Sequence, residues 1–193
     1  MHALSTSFVL GYHGCDASVA EQLLSGIAFL PSNNDYDWLG PGVYFWEANP
    51  RRGLDFAREV QRTARGQSVR SPAVVGAIIE LGLCLDLTTM SGVEQIRIAH
   101  AELMLVLDKS GLPIPRNQSG GLRRNLDCAV IRYLHQIRSI KGDPPADSVK
   151  GIFIEGRPVY EGSGFYEKTH TQICVRDPNR IKGVFRVDPG LLA

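Results

Sequence analysis

Three short stretches combine glycine freedom with polar or aromatic side chains at what read as strand ends: Tyr12-His13-Gly14, Leu39-Gly40-Pro41-Gly42-Val43-Tyr44-Phe45, and Glu167-Lys168-Thr169-His170-Thr171-Gln172-Ile173-Cys174-Val175. Glycine lets a backbone approach a ligand closely. Histidine carries one nitrogen that can donate and one that can accept. A tyrosine ring offers a flat face for stacking, although Tyr44 in a four-residue aromatic strand serves a core equally well. Cys15 stands close to His13, but no Asn or Asp completes a thiol-nucleophile set by motif. Asp35, Asp37 and Asp86 lack metal-ligand spacing and read as caps or solvated turns, so no metal is expected.

In order and approximate spacing, these three blocks resemble the ADP-ribosyltransferase fold of the diphtheria-toxin and poly(ADP-ribose) polymerase branch. There, His-Gly follows the first strand, a Gly-x-Gly-x-Tyr-Phe pattern forms the second block, and a glutamate opens a late strand. The likeness covers residues 8–60 and 151–187 and leaves the middle of the chain unexplained. It implies NAD as the substrate: the nicotinamide glycosidic bond breaks and a single ADP-ribose passes to a macromolecular acceptor, protein or nucleic acid. By the resemblance His13 meets the adenosine ribose, Gly14 the nicotinamide carboxamide, and Tyr44 the nicotinamide ring. Tyr12, Gly42, Phe45 and Phe56 complete the NAD-binding set, with Phe56 covering the ring's second face. The arginines that follow the nicotinamide block read as a solvated face, as a surface for an acidic or nucleic-acid target or, in Arg52 or its neighbour Arg51, as the group that neutralises the pyrophosphate. The segment before the late strand, with Phe165, Tyr166 and Glu167, falls where the family recognises its targets.

The late-strand glutamate is replaced by Gln172. A glutamine can accept a ribose hydrogen bond but brings no negative charge to an oxocarbenium-like transition state and cannot act as a base. Three outcomes follow. Gln172 suffices for transfer to one acceptor; Glu167 or Glu161 supplies the carboxylate; or the chain binds NAD without turning it over. NAD hydrolysis and a silent NAD or ADP-ribose module are therefore the alternatives to transfer. His170 shares the strand face of Gln172 and reads equally as a site group or a satisfied strand histidine.

Lys+Arg 21 against Asp+Glu 20 leaves a net charge of +1, so the total demands neither nucleic acid nor an anionic membrane. The charge is uneven, however. Arg51, Arg52, Arg58, Arg62, Arg65 and Arg70 face only Asp55 and Glu59, and the stretch from Arg116 to Lys141 is basic again. The longest apolar runs, 73–79 and 103–107, are far shorter than the roughly 20 residues a membrane span needs. Met1–Ser7 carries no Lys or Arg ahead of an apolar stretch, which argues against a secretory signal. Cys15, Cys84, Cys128 and Cys174 share no close spacing and suit free thiols in a reducing cytoplasm. With the resemblance, these features suggest a cytoplasmic bacterial toxin or effector, with an antitoxin as the expected partner.

The elements that must position these residues follow from pattern. Strands are expected at 8–12, 43–46, 73–81, 151–155, 172–175 and 181–187, the stretch 73–81 being apolar on both faces and expected at the centre of a sheet. Ser18 with Glu21, and Ser91 with Glu94, form capping-box pairs, and Asn49-Pro50 starts a third helix continuing through Leu54, Ala57, Val60, Gln61 and Ala64. A fourth, Asn125 to Ile140, carries Leu126, Val130, Tyr133, Leu134 and Ile137 on one face. Residues 88–142 thus form a helical insertion in one α+β domain spanning 1–193, with an ADP-ribosyltransferase-like split β-sandwich, two small sheets and a cleft between them.

Overall fold

A computed structural model describes residues 8–63, 68–118 and 123–192. Residues 1–7, 64–67, 119–122 and 193 lie outside them, among them Ala64 and Arg65 of the expected third-helix region. The chain order is β1 (Phe8–Asp16), α1 (Ala17–Leu24), β2 (Val43–Glu47), α2 (Pro50–Arg62), β3 (Pro72–Glu80), β4 (Cys84–Asp86), α3 (Met90–Ser110), α4 (Asn125–Lys141), β5 (Ser148–Phe153), β6 (His170–Val175) and β7 (Ile181–Arg186). The protein is α+β, and no described helix is long and apolar enough to cross a membrane.

The caps show where local chemistry decided the helix starts. Asn49 accepts from the Arg52 amide with Pro50 at the first helical position, as the sequence predicts for α2. The other two starts differ from expectation. Asp16, not Ser18, caps α1 by accepting from the Ser18 amide, and Thr89, not Ser91, caps α3 by accepting from Gly92. A carboxylate or hydroxyl two residues earlier reaches the first orphan amides, so each helix starts ahead of its capping-box pair.

The strands join in one seven-stranded sheet of order β4-β5-β6-β2-β1-β3-β7, antiparallel except for the β4–β5 pair. This corrects the expectation of two sheets, and the reason lies at one seam. β1 and β2 pair only through Gly11↔Glu47 and Tyr12↔Trp46, then part. Past that point β1 continues on β3 as far as Asp16↔Pro72, while β2 continues on β6 from Trp46↔Gln172 to Val43↔Val175. One sheet is thus split along half the length of its middle seam. β3 lies one strand in from the β7 edge, not at the centre; its apolar faces are covered by helices and by Phe185 rather than by further strands.

Strand alternation divides the core into two. Val43 and Phe45 of β2, with Ile173 and Val175 of β6, face a cluster closed by Ala20 and Leu23 of α1 and by Phe29. On the opposite face, Cys174 and Val149 pack with Ala99 and Leu103 of α3 and Val130, Ile131 and Leu134 of α4. The helical insertion therefore occupies the face to which Tyr44 belongs. All four cysteines are unpaired.

Candidate functional site

The split seam opens a cavity of about 580 Å³, within the size range of small-molecule sites. Its walls come from distant parts of the chain: His13 and Gly14 on β1, Gly42 ahead of β2 and Tyr44 and Trp46 on it, Arg52 and Phe56 on α2, Phe153 and Glu155 at the end of β5, and Gln172 on β6. The loop from Leu30 to Trp38 forms the remaining side. His13, Gly14, Gly42, Tyr44, Arg52, Phe56 and Gln172, singled out in sequence from separate blocks, thus line one cavity.

His13 spans the seam. Its Nδ1 lies 2.9 Å from the Tyr44 carbonyl oxygen, which can only accept, so Nδ1 carries the proton and Nε2 is left as an acceptor. The ring packs against Phe29 and Phe45 at 5.3 and 5.7 Å between centroids. Burial lowers its pKa from the ordinary histidine value, so the imidazole is neutral near pH 7. Tyr44 is anchored at its tip: the hydroxyl donates to the Gly40 carbonyl at 2.8 Å and accepts from the Leu39 amide at 3.0 Å. Burial raises its pKa, and its ring face rather than its hydroxyl is what remains for a ligand.

Gly14 has a packing reason to be glycine. A Cβ there would collide with the carbonyl oxygen of Gly53, so α2 rests directly on β1 through two glycines. That contact brings Arg52 and Phe56 to the cavity wall. Phe56 packs against Trp46 with ring centres 4.8 Å apart and planes tilted by 42°, and the Arg52 guanidinium lies 5.7 Å from the centre of the same indole. Arg52 is only 6% exposed. Its Nη2 pairs with Glu155 at 2.8 Å and Glu59 at 3.3 Å, while its Nε and Nη1 have no hydrogen-bond partner.

Six residues named from the sequence fall elsewhere. Tyr12 points to the face opposite His13, edge-on to Phe185, and does not line the cavity. Phe45 is fully buried in the first core, since alternation sends it away from Tyr44. Glu167 lines a second, polar cavity of about 400 Å³ beside α2, which shares Arg52 with the first. There its carboxylate accepts from the Arg157 backbone and guanidinium, and the backbone bond chiefly holds its pKa below the usual range. Glu161 is exposed and lines neither cavity. Arg51 lines only the polar one. His170 is buried between Trp46 and Phe153, with Nδ1 2.6 Å from the Lys168 carbonyl oxygen, and does not reach the main cavity. Burial lifts the Cys15 thiol to about 11, which keeps it protonated at neutral pH.

Other lining residues were not picked out in sequence. Glu155 is a carboxylate on the cavity wall, 3.8 Å from Lys168 as well as bonded to Arg52. Trp38 donates from its indole nitrogen to the Gln172 side-chain oxygen at 2.6 Å. Tyr36 stands under the guanidinium of Arg123 at 5.3 Å. A tryptophan in an otherwise polar loop was the available signal, since a ring of that size must find cover. Asp37, expected as a solvated turn, accepts from Ser32 and Asn34 and so shapes the loop from within. The helical insertion also fastens this loop: Arg132 donates to Asn33 and Asn34, and the Arg124 amide donates to the Tyr36 carbonyl. The described residues contain no cluster of His, Cys, Asp and Glu that could hold a metal.

No family model matches the sequence, and no solved structure matches it. An uncharacterized protein of Methanocaldococcus jannaschii is 27% identical over 192 aligned residues, which cover 89% of this chain and 83% of that relative.

Proposed function

We propose that the cleft binds NAD and that the chain transfers a single ADP-ribose from it to a macromolecular acceptor. The observation that carries this reading is the convergence on one cavity of His13, Tyr44 and Gln172, each from a different block of the sequence. Neutral His13 offers Nε2 to a hydroxyl of the adenosine ribose. Tyr44 and Phe56 offer ring faces to the nicotinamide. Arg52, held but not saturated by Glu59 and Glu155, meets the pyrophosphate.

The C1′–N bond breaks with its electron pair passing to the nicotinamide ring, which leaves uncharged. The ribose cation is then captured by an oxygen or nitrogen of the acceptor, which gives up a proton. The site contributes chiefly by holding NAD bent and oriented, a contribution that reaches about 7–11 kcal/mol in favourable cases. A cytoplasmic toxin or effector restrained by an antitoxin fits such an activity, and the acceptor is a protein or a nucleic acid.

One feature favours a second reading. Gln172 brings no charge to the ribose, which suits a module that binds NAD or ADP-ribose without cleaving it. Incubation of the purified protein with NAD labelled on its adenine side, in a whole-cell lysate, separates the readings. Label in high-mass material, lost on protease or nuclease digestion, supports transfer and identifies the acceptor class. Free ADP-ribose alone means hydrolysis. Intact NAD that raises the melting temperature means a binding module, and intact NAD without a shift overturns the NAD reading.

A further inference from the structure

Gln172 sits in β6 opposite Trp46 on one side and Gly151 on the other, and lines the cavity. An indole N–H can only donate, so the group that Trp38 meets at 2.6 Å is the oxygen of the Gln172 carboxamide, and its amino group is turned away from the indole. No described residue accepts from that amino group. Trp38 is itself held in a built seat. Its ring packs on Phe153 at 5.1 Å, and it lies over Gly151, where a Cβ would come within 2.9 Å of the indole. Gly151 thus provides the space that lets a loop residue reach a side chain 134 positions away.

We propose that Trp38 is a positioning residue that fixes the Gln172 carboxamide with its amino group facing the cleft, so that the ligand meets a hydrogen-bond donor there. The identity of the ligand atom rests on the NAD reading: the amide donates to a lone pair of a nicotinamide-ribose hydroxyl. This contact orients the ribose but does nothing for its developing positive charge. A carboxylate in the same seat would accept from Trp38 and from the ribose hydroxyl together, so the seat is preformed for a faster enzyme than the native one.

The first test needs no NAD. In the full chain, the Trp38 indole N–H gives a hydrogen-bonded proton resonance that moves upfield in Gln172→Leu. A resonance that stays in place overturns the positioning role whatever the ligand.

The second test uses NAD. Both Trp38→Phe, which removes the donor, and Gly151→Ala, which removes the seat, weaken NAD binding about five-fold, the scale of one hydrogen bond. Gln172→Glu raises nicotinamide release and gives the rate an acid limb, lost as pH falls through the new carboxylate's pKa. Adding Trp38→Phe to Gln172→Glu moves that limb up by about one pH unit, because the indole bond favours the charged form. A merely structural role would leave the limb where it was, and an unmoved limb overturns the proposal. Failure of the native chain to bind or cleave NAD, with the indole shift intact, overturns the NAD reading alone.

Discussion

The Nδ1 of His13 lies 2.9 Å from the backbone oxygen of Tyr44, and this contact ties β1 to β2 just beyond the last residue pair that joins them. A single side chain therefore holds the mouth of the split seam and also lines the cavity. His13→Phe keeps the ring packing against Phe29 and Phe45 but leaves the Tyr44 carbonyl without its donor. We expect a stability loss of about 1–3 kcal/mol in chemical denaturation, with at least ten-fold weaker NAD binding by calorimetry. Native affinity in a folded His13→Phe variant would remove His13 from the ligand.

Gly14 and Gly53 let α2 rest on β1 without an intervening side chain. Gly14→Ala drives a methyl group into the Gly53 carbonyl oxygen, and backbone must move to admit it. The expected cost is about 1–3 kcal/mol, read as a lower melting temperature together with displacement of Arg52 and Phe56 from the cavity wall. Unchanged stability would mean that the helix shifts freely, and with it that α2 does not set the width of the site.

Arg52 balances Glu155 and Glu59 from a nearly dry position. Arg52→Leu takes the buried cation from Glu155 and Glu59 and leaves them Lys168, 3.8 and 2.7 Å away, and we expect a loss of about 1–3 kcal/mol. Glu155→Gln leaves Arg52 charged and freer to meet an anion. That variant is expected to bind NAD at least as tightly as the native chain, and markedly weaker binding would place Glu155 itself on the ligand.

Burial lowers the pKa of His13, of His170 and, to about 3, of His135, which the neighbouring Arg176 and Arg138 also disfavour as a cation. Each histidine takes up a proton more readily unfolded than folded. Their stabilising contribution is therefore present in full above the unfolded value near 6.5 and is lost as pH falls toward each folded value. Urea denaturation between pH 7 and 5 should show stability falling by up to about 1.4 kcal/mol per pH unit for each such histidine. His135→Leu should flatten that slope, and an unaltered slope would assign the acid sensitivity to other groups.

Much of this arrangement is written locally. The Asn49-Pro50 start of α2 and the alternation of Val43, Tyr44, Phe45 and Trp46 are each readable within a few residues, and both hold. The misplaced features depend on distance along the chain. Tyr12 neighbours His13 in sequence, but the pleat sends the two to opposite faces, so adjacency within a motif does not guarantee a shared cavity. The short strand Cys84–Asp86 is legible only through its partner at Ser148–Lys150, beyond the whole helical insertion. Trp38 carries the signal of an aromatic residue in a polar loop and Gln172 that of a late-strand site group, but their pairing is not readable locally, because the space that admits the indole is made by the absence of a side chain at Gly151.

The strand order carries a consequence for synthesis. β4 and β5 reach the rest of the sheet only through β6, which is inserted between β5 and β2 although it is made after both. While the chain emerges from a ribosome, β1, β2 and β3 can pair, but Gln172, and with it one wall of the cleft, does not exist until residues 170–175 have been added. The cavity is consequently complete only late in translation, when nearly all of the chain has been made.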